Sequence, residues 1–463
     1  MSPPAVLWFR RDLRLGDNPA LLAARERGGA GGVLPLFVLD PAVWEPAGDA
    51  RRRFLVGCLE ALREATDGAL VVRRGDPREV VPAVVREAGA ASVHVARDVG
   101  PYGRRRDDAV REALSRLPTG EGGDGEGVPL VEDGTAYAVG PGLVTKDDGS
   151  PFQVFTPFSR AWRAHGVPDP APTPRALTWA RLDGPDELPE APAVDADLPS
   201  PGEEAATAAW KAFRDERLDR YADERDRPDL DSTSRMSAYL HLGCVHPRTL
   251  VQEATARGGP GAEAYVRELC FRDFYADVLW HRPDSAREAY KPELAGMEHD
   301  DGEEARRRVR AWEEGRTGYP VVDAAMRQLL GQGWMHNRMR MLVASFYVKD
   351  LHQRWQGGAR FFLRHLVDGD LASNNHGWQW VAGTGTDASP YFRVFNPVTQ
   401  GKRFDPRGDY VRRWVPELRD VEGAAVHEPW TLPGGTPEGY PERVVDHAEE
   451  RKVALSRYES VRG

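Results

Sequence analysis

Two domains of different class are predicted by this sequence: a doubly wound parallel-sheet α/β domain at the N-terminus and an all-α domain at the C-terminus. Short apolar runs alternate with helical spacing over residues 1–135, as expected for a parallel sheet with crossover helices. Residues 136–204 are rich in proline, glycine, aspartate and alanine and form the predicted connection, and helical periodicity dominates residues 205–463. A chain of 463 residues is long enough for two or more hydrophobic cores.

Apolar runs and turn signals place the N-terminal elements in order. Strands are predicted at residues 6–9, 33–39, 69–73, 92–96 and 128–131, and later helices at 51–65, 80–88 and 107–117. The first helix has Asp17 or Asn18 as a suitable cap and Pro19 in its first turn. Residues 120–127 predict a flexible loop. No G-x-G-x-x-G follows the first strand, so that dinucleotide fingerprint is missing.

Composition excludes several classes of protein. No run approaches the roughly 20 apolar residues of a membrane span, and the N-terminus lacks a basic region followed by an apolar stretch, so we expect neither a span nor a signal peptide. The scattered Cys58, Cys244 and Cys270 argue against a disulfide framework and a zinc site, and favour the cytoplasm.

The net charge of −10 disfavours nucleic acid as a partner. Residues 331–415, however, hold 12 Lys and Arg against 6 Asp and Glu, a local charge of +6. This segment is either a basic groove for nucleic acid or a solvated face that is basic by chance.

One predicted helix carries charge inside an apolar stripe. Glu268, Phe271, Arg272 and Tyr275 follow the spacing i, i+3, i+4, i+7 and therefore share one helix face. Unpaired buried charge is costly. The carboxylate and the guanidinium therefore either pair with each other or line a cavity with a polar ligand.

A second helix face combines an amide with a thioether. Asn337, Arg340 and Met341 share this face, which suits a flat heteroaromatic ligand. The alternative is a methionine core with an exposed arginine.

Two carboxylates flank a glycine further along the chain. Asp368 and Asp370 enclose Gly369, and they suit ribose hydroxyls or arginines such as Arg340. We expect no metal here, because no His/Cys/Asp cluster with ligand spacing completes the pattern.

Two further segments suit phosphate. In residues 233–237 (TSRMS), hydroxyls and backbone N–H groups surround an arginine, although an ordinary helix cap explains them as well. In residues 391–404, arginines interleave with aromatic residues, as in sites that contact phosphates and stack on bases. A packed hairpin with solvated basic residues is the alternative.

Together these motifs resemble the photolyase/cryptochrome family over nearly the whole chain. The similar segments occur in the family's order: LWFRRDLRLGDNPAL, VFTPFSRAW, TSRMSAYLHLG, RELCFRDFY, GWMHNRMRM, DGDLASNNHGWQW and GTGTDASPYFRVFNPVTQGKRFDP. The pattern resembles in particular the class I photolyases that repair cyclobutane pyrimidine dimers and carry a deazaflavin antenna.

The resemblance implies a U-shaped FAD held in the helical domain. By matching position, the cofactor-binding residues would be Tyr221, Thr233, Ser234, Arg235, Met236, Ser237, Tyr265, Arg272, Asn337, Arg340, Asp368, Gly369, Asp370 and Asn374. Arg340 would pair with Asp368, and Asn374 would lie beside the flavin N5.

The resemblance also implies a DNA partner and a light-driven reaction. Excited reduced flavin would donate an electron to a flipped-out dimer, the ring would split, and the electron would return. The DNA-binding residues would be Arg225, Glu268, Phe271, Arg272, Asn337, Arg338, Met341, Trp380 and Arg393, and the catalytic ones Glu268, Asn337, Asn374, Trp355 and Trp378. We expect a monomer.

The sequence departs from the family pattern at two places. Phe271 stands where cyclobutane-dimer photolyases usually have tryptophan, which gives a smaller stacking surface and predicts lower dimer affinity. Trp378 and Trp355 match two members of a three-tryptophan photoreduction chain. No tryptophan lies near Gly302, where the third is expected, and Trp312 or a tyrosine is the candidate substitute.

A second chromophore is expected in the N-terminal domain. ARDVGPYGRRRD resembles the members that bind 8-hydroxy-deazaflavin, with Arg51, Asp98 and Gly103 as candidate contacts.

Two other functions remain open within the family. A cryptochrome-like photoreceptor would bind FAD without repair. A (6-4) photolyase would typically have two successive histidines where this chain has His336 and Asn337, so Asn337 favours the cyclobutane substrate.

Overall fold

The N-terminal part of the chain forms one parallel sheet. The computed structural model describes residues 2–117, 127–184, 187–386 and 393–461. The strands are β1 (Ala5–Phe9), β2 (Val33–Leu39), β3 (Val71–Arg74), β4 (Ser92–Arg97) and β5 (Leu130–Thr135). Their order is β3-β2-β1-β4-β5. The chain therefore adds β2 and β3 on one side of β1 and then β4 and β5 on the other side. The predicted doubly wound sheet is confirmed.

The central strands are buried on both faces, which explains their continuous apolar runs. Every residue of β1 and β2 is buried. Val6 and Trp8 face one hydrophobic cluster, whereas Leu7 and Phe9 face another. This alternation is the two-residue period of a strand.

Helices cover the sheet and build the rest of the molecule. Those flanking the sheet are α1 (Pro19–Gly28), α2 (Pro41–Trp44), α3 (Asp49–Ala65), α4 (Pro77–Ala88) and α5 (Pro101–Ser115). The next are α6 (Phe155–His165), α7 (Glu203–Glu216), α8 (Tyr221–Glu224), α9 (Ser237–Leu242), α10 (Pro247–Arg257), α11 (Gly259–His281) and α12 (Gly302–Glu313). The last are α13 (Pro320–Gln332), α14 (Asn337–Ser345), α15 (Trp355–His365), α16 (Leu371–Ala382), α17 (Pro397–Phe404), α18 (Asp409–Trp414) and α19 (His447–Ser460). A π-helix, Phe346–Asp350, directly follows α14.

The local sequence patterns predict the start of α1 correctly and the start of α5 incorrectly. Asn18 caps α1, because its side chain accepts from the Leu21 N–H at 3.2 Å. The helix predicted from residue 107 begins at Pro101, which occupies its first turn after Gly100. The last strand lies at Leu130–Thr135 rather than 128–131. Most of the predicted loop at 120–127 falls outside the described residues.

The connection between the sheet and the helical region begins inside the core. Its residues Tyr137, Ala138 and Val139 are buried, because they are apolar and their backbone finds internal partners. Asp273 of α11 accepts from the N–H groups of Ala138 at 3.3 Å and Val139 at 2.8 Å. It also accepts from the indole of buried Trp162 at 3.0 Å, so this part of the connection packs against α11 as well.

Asp273 should make stability depend on pH. Burial raises its pKa to about 6 from 3.8, so between these values the folded protein binds the proton more tightly than the unfolded chain. Its contribution is therefore complete below about pH 4 and is lost as the pH rises through 6. We expect the free energy of unfolding of wild type, minus that of Asp273→Asn, to fall by about 2 kcal/mol between about pH 4 and pH 7. Urea denaturation at each pH measures this difference, and a constant value would contradict the prediction.

The sheet and the helical region share one hydrophobic core. Leu7 and Phe9 of β1 belong to the same buried cluster as Trp210, Tyr239 and Phe274 of the helical region. Within the described ranges, no helix is both long and apolar enough to cross a bilayer. The domain division at residues 135 and 205 stays a prediction.

Candidate functional site

An interdomain ion pair marks one end of the site. Asp370 caps α16 by accepting from the Ser373 N–H at 2.9 Å, and its other oxygen lies 2.6 Å from Nη2 of Arg11, which follows β1. Burial favours the neutral acid, but Arg11 and Arg272 hold the pKa of Asp370 well below its ordinary range. The carboxylate is therefore charged and oriented before any ligand arrives.

The predicted pair of Arg340 and Asp368 is present in the structure. Nη1 and Nη2 of Arg340 lie 3.2 and 2.8 Å from the two carboxylate oxygens, and its Nε donates to the Met335 carbonyl at 2.8 Å. The Asp368 side chain is only 1% exposed. Such a two-pronged contact fixes the plane of the guanidinium.

The TSRMS segment bends sharply just before α9. Arg235 has a φ of +52°, which is unusual for a residue other than glycine. Its guanidinium lies 4.6 Å from the centroid of the Trp334 ring, and its buried Nε has no hydrogen-bond partner among the described residues. Ser234 Oγ accepts from the Tyr265 hydroxyl at 3.2 Å, whereas Ser237 is exposed.

A buried aromatic wall continues from that segment. Tyr221, Tyr265 and Met236 are all buried, and the rings of Tyr221 and Tyr265 meet edge to face at 5.5 Å. Thr233 is half-buried. Met236 joins the hydrophobic core cluster that contains both tyrosines.

Arg272 faces the protein interior. Its guanidinium donates to the carbonyls of Ala136 at 2.7 Å and Leu240 at 3.1 Å, and it lies 4.3 Å from the Tyr137 ring centroid. Its charge helps to lower the pKa of Asp370. Contact between Arg272 and DNA or cofactor stays a prediction.

Two neighbouring residues directly after α8, Arg225 and Asp226, connect the two predicted helix faces through ion pairs. Arg225 pairs with Glu268 of α11 at 2.5 Å, and its neighbour Asp226 pairs with Arg338 of α14 at 2.9 Å. Asn337, which begins α14, is exposed. Two of the predicted DNA-binding arginines, Arg225 and Arg338, are thus held by carboxylates.

Phe271 is supported from behind by the connection. The ring of Phe155, at the start of α6, stacks on Phe271 with a centroid separation of 3.3 Å and an interplanar angle of 8°. Phe155 also meets Phe274 edge to face at 5.8 Å. This stack fixes the ring plane of Phe271, which is smaller than the tryptophan usual at this position in the family.

Basic and aromatic residues also meet around α14, α16 and α17. The Arg393 guanidinium lies 5.4 Å from the Trp380 ring centroid, and that of Arg338 lies 4.6 Å from Phe404. Half-buried Met341 packs against the same hydrophobic cluster as Trp380. Residues 397–404 form helix α17, so the alternative of a hairpin is wrong. Residues 391 and 392 lie outside the described part of the chain.

Trp378 lies in a buried aromatic cluster. Its ring centroid is 5.0 Å from Phe362, 5.6 Å from Tyr347 and 6.2 Å from Trp312. A Cβ on Gly358 would approach Trp378 to 2.1 Å, so that position requires glycine. Trp355, which begins α15, is buried.

Asn374 lies one helical turn before Trp378 on α16. Its amide nitrogen donates to the Ala359 carbonyl at 3.1 Å and to Asn375 Oδ1 at 2.9 Å. These contacts fix the amide against α15. The oxygen of the Asn374 amide is therefore the atom left to accept a bond from a ligand.

The three candidate antenna residues divide between two places. A Cβ on Gly103 would lie 2.1 Å from the Asp98 carboxylate, so these two residues are in contact. Burial would raise the pKa of Asp98, but Arg106 and other nearby arginines hold it below the ordinary value. Arg51 instead donates to the carbonyls of Gly369 at 3.0 Å and Leu363 at 2.8 Å, which ties α3 to the helical region.

Sequence reasoning missed three residues that shape the site: Arg11, Phe155 and Asp226. Arg11 directly follows β1, and open α/β proteins bind ligands at the carboxyl ends of their strands. Its position after a predicted strand could therefore have indicated Arg11 as a site residue. Phe155 lies in the VFTPFSRAW segment, but nothing in the sequence indicated its partner or that of Asp226, because these partners lie 116 and 112 positions away.

Comparison with known proteins gives two family matches. The model described as DNA photolyase matches residues 5–175, and the FAD binding domain of DNA photolyase matches residues 265–460. A deoxyribodipyrimidine photo-lyase of Streptomyces griseus is 46% identical over 470 residues, which cover 99% of each chain.

Solved structures of the same kind superpose along the whole chain. A bacterial class III photolyase from Agrobacterium tumefaciens has a TM-score of 0.89 at 34% identity, covering 100% of this chain and 98% of that one. An archaeal photolyase from Sulfolobus tokodaii with two FAD molecules has a TM-score of 0.82 at 28% identity, covering 99% and 100%. A Synechocystis cryptochrome has a TM-score of 0.88 at 26% identity, covering 98% and 99%.

Proposed function

The chain belongs to the DNA photolyase family and contains that family's FAD-binding domain, and from this we propose that it repairs cyclobutane pyrimidine dimers in DNA with light. The observation that carries the proposal is the network in which Arg225 and Asp226 join Glu268 to Arg338. The network places Glu268, which suits the edge of a base, close to Arg225 and Arg338, which suit phosphate.

The residues of the pocket fit FAD. The unpartnered buried Nε of Arg235 and the hydroxyl of Ser237 suit phosphate oxygens. Arg340 and Asp368 offer charged groups to the edge of a flavin ring, and Asp370 offers a carboxylate to hydroxyl donors. When bound, reduced FAD supplies the light-excited electron that opens the cyclobutane ring.

The chain's own residues bind and orient the lesion. We expect the flipped dimer to lie between Phe271 and Trp380, with Glu268 accepting a hydrogen bond from a thymine N–H and Asn337 contacting the other base. Arg338 and Arg393 hold the flanking phosphates, so the dimer leaves the stack without the duplex leaving the protein. Class I membership and action as a monomer belong to the same proposal.

The test is repair by protein whose flavin has been chemically reduced. Illumination with blue light in the presence of a thymine-dimer oligonucleotide should restore thymine absorbance, and a dark sample should not. Bound FAD without repair after full reduction would overturn the proposal. It would favour the second candidate, a cryptochrome-like photoreceptor, which Phe271 and the similarity to the Synechocystis cryptochrome support.

Phe155 should act on dimer affinity through Phe271. Phe155→Ala removes the stack that fixes the Phe271 ring, and an aromatic pair contributes about 0.5–1.5 kcal/mol. We expect dimer DNA to bind about 2- to 10-fold more weakly in the dark, as measured by fluorescence anisotropy, with Phe155→Tyr restoring affinity.

The matched control for this prediction is Phe152→Ala. Phe152 belongs to the same aromatic patch and meets Phe158 edge to face at 6.2 Å. Equal loss of affinity in both alanine variants would show that the patch matters only for folding.

We also propose an antenna chromophore, 8-hydroxy-deazaflavin, at the carboxyl ends of β1 and β4. Asp98 and Gly103 lie there, where open α/β sheets bind ligands. The Sulfolobus relative with two FAD molecules makes a second flavin the alternative. Denaturing the purified protein and identifying each released chromophore by absorbance distinguishes the two.

The site of action that we propose is the cytoplasm. All three cysteines are free, in keeping with a reducing compartment.

A further inference from the structure

A buried lysine lies at the end of the element that carries Asn337. Helix α14 begins at Asn337 and runs directly into the π-helix, whose fourth residue is Lys349. Lys349 is only 3% exposed. Lysine is almost never buried this deeply unless acceptors surround its ammonium group. The ammonium group of Lys349 is therefore held in one place by the atoms around it.

One of these acceptors belongs to a predicted DNA-binding residue. The Lys349 ammonium donates to the main-chain carbonyl of Arg393, 44 positions further along the chain. Hydrogen bonds from a charged donor are stronger than those between neutral groups. Because the acceptor is the main chain, the contact fixes the point from which the Arg393 side chain extends.

Ser345 makes a second contact with the same segment. Its hydroxyl oxygen is buried and accepts from the Phe395 N–H at 3.3 Å. Ser345 and Lys349 are four positions apart, so they project from the same side of a helix. The next residue after the segment, Asn396, caps α17. The main chain of residues 393–395 is therefore held at both of its ends.

The side chain of Arg393 lies against Trp380. Its guanidinium is 5.4 Å from the centroid of the Trp380 ring, and both residues are half-buried. An arginine held on an indole by this attraction keeps its N–H groups for a phosphate. A shift of the Arg393 main chain would therefore move a phosphate contact away from the ring that we expect to meet the flipped dimer.

One continuous element thus connects two sets of predicted DNA-binding residues. Asn337 and Arg338 begin α14, and the contacts of Ser345 and Lys349 at its other end hold Arg393. The π-helix widens this end, because the Leu351 N–H donates at 3.0 Å to the carbonyl of residue 346, five positions back. Turns of this kind occur frequently at functional sites.

We propose that Lys349 is a positioning residue for DNA binding, which together with Ser345 holds the main chain of residues 393–395 so that Arg393 meets a phosphate beside the flipped dimer. The inference rests on the proposed function, because it assigns a phosphate to Arg393. Lys349 and Ser345 are both buried, so they act through Arg393 and do not touch DNA themselves.

The test is a double-variant cycle on the binding of a duplex that contains a thymine dimer, measured by fluorescence anisotropy in the dark. Lys349→Met keeps a long unbranched side chain but removes the donor. We expect it to weaken binding about 5-fold or more. In an Arg393→Ala background the same change should weaken binding less than about 2-fold, because the side chain that it positions is absent.

Ser345→Ala is a second variant that leaves the charge of the protein unchanged. It removes the acceptor of the Phe395 N–H and replaces one small side chain by another. We expect binding to weaken about 2- to 5-fold, and again only while Arg393 is present. This variant decides the inference if Lys349→Met does not fold.

The salt dependence of binding is a readout that a merely structural role would not move. Arg393→Ala should lower the slope of log affinity against log salt concentration by about 0.9, the value for one phosphate contact on duplex DNA. Lys349→Met should lower the slope by a similar amount, and Ser345→Ala should lower it in the same direction, because each displaces the arginine that makes the contact.

The matched background is Arg225→Ala. Arg225 directly follows α8 and pairs with Glu268 of α11, so its phosphate contact is independent of residues 393–395. There, Lys349→Met should weaken binding by the same factor as in wild type.

Each outcome decides the inference. Equal losses with and without Arg393, or no loss in either Lys349→Met or Ser345→Ala, would overturn it. Arg393→Ala that binds as tightly as wild type would overturn the phosphate contact on which it depends. Repair by chemically reduced wild-type protein tests the proposed function separately, because it needs none of these variants.

Discussion

Replacing Arg340 by alanine is expected to release FAD and to destabilise the protein by about 3 kcal/mol. The physical reason is the Asp368 carboxylate, which is 1% exposed and bound by two nitrogens of Arg340. Without Arg340, the cationic neighbour left to Asp368 is Arg51, because the charge of Asp368 acts on the pKa of Arg51. The nitrogens of Arg51, however, already donate to two carbonyls. Urea denaturation and the 450 nm to 280 nm absorbance ratio after desalting measure the two effects.

A double variant separates lost charge from lost packing. Arg340→Ala/Asp368→Asn has no buried charge to leave unpaired, so it should recover about half of the lost stability or more. Exposed Arg364 on α15 is the matched control, and Arg364→Ala should change neither measurement. A double variant as unstable as Arg340→Ala would show that the pair acts mainly by packing.

Removing the Glu268 carboxylate is expected to weaken binding of dimer-containing DNA about 10- to 150-fold. A hydrogen bond to a charged partner contributes about 1.5–3 kcal/mol, and a flipped thymine would leave its N–H unpaired in Glu268→Ala. The same change also releases Arg225, which lies 2.5 Å from the carboxylate. Fluorescence anisotropy in the dark with dimer and undamaged oligonucleotides measures the effect.

The contrast with Arg338 makes this prediction specific. Glu268→Ala removes a negative charge, so undamaged DNA should bind equally well or more tightly. Arg338→Ala should weaken both DNAs and reduce the salt dependence of binding, because it removes a phosphate contact. A Glu268→Ala protein that loses affinity for both DNAs alike would contradict the assignment of Glu268 to the lesion.

Much of the architecture was determined by the sequence alone. The apolar runs of β1 and β2 and the cap at Asn18 are local patterns, and local patterns specify the elements that they belong to. The resemblance to the family predicted the pairing of Arg340 with Asp368, which lie 28 positions apart, whereas the motifs by themselves left ribose hydroxyls open as the alternative. Boundaries were less certain: α5 begins six residues before the predicted position, because Pro101 starts a helix as readily as it ends one.

Only the tertiary structure decided which distant residues share a surface. Arg11 and Asp370 are 359 positions apart, and Phe155 reaches Phe271 only because the connection enters the core. Periodicity and caps act within a few turns of chain, whereas packing brings together side chains whose separation in sequence carries no information about their contact.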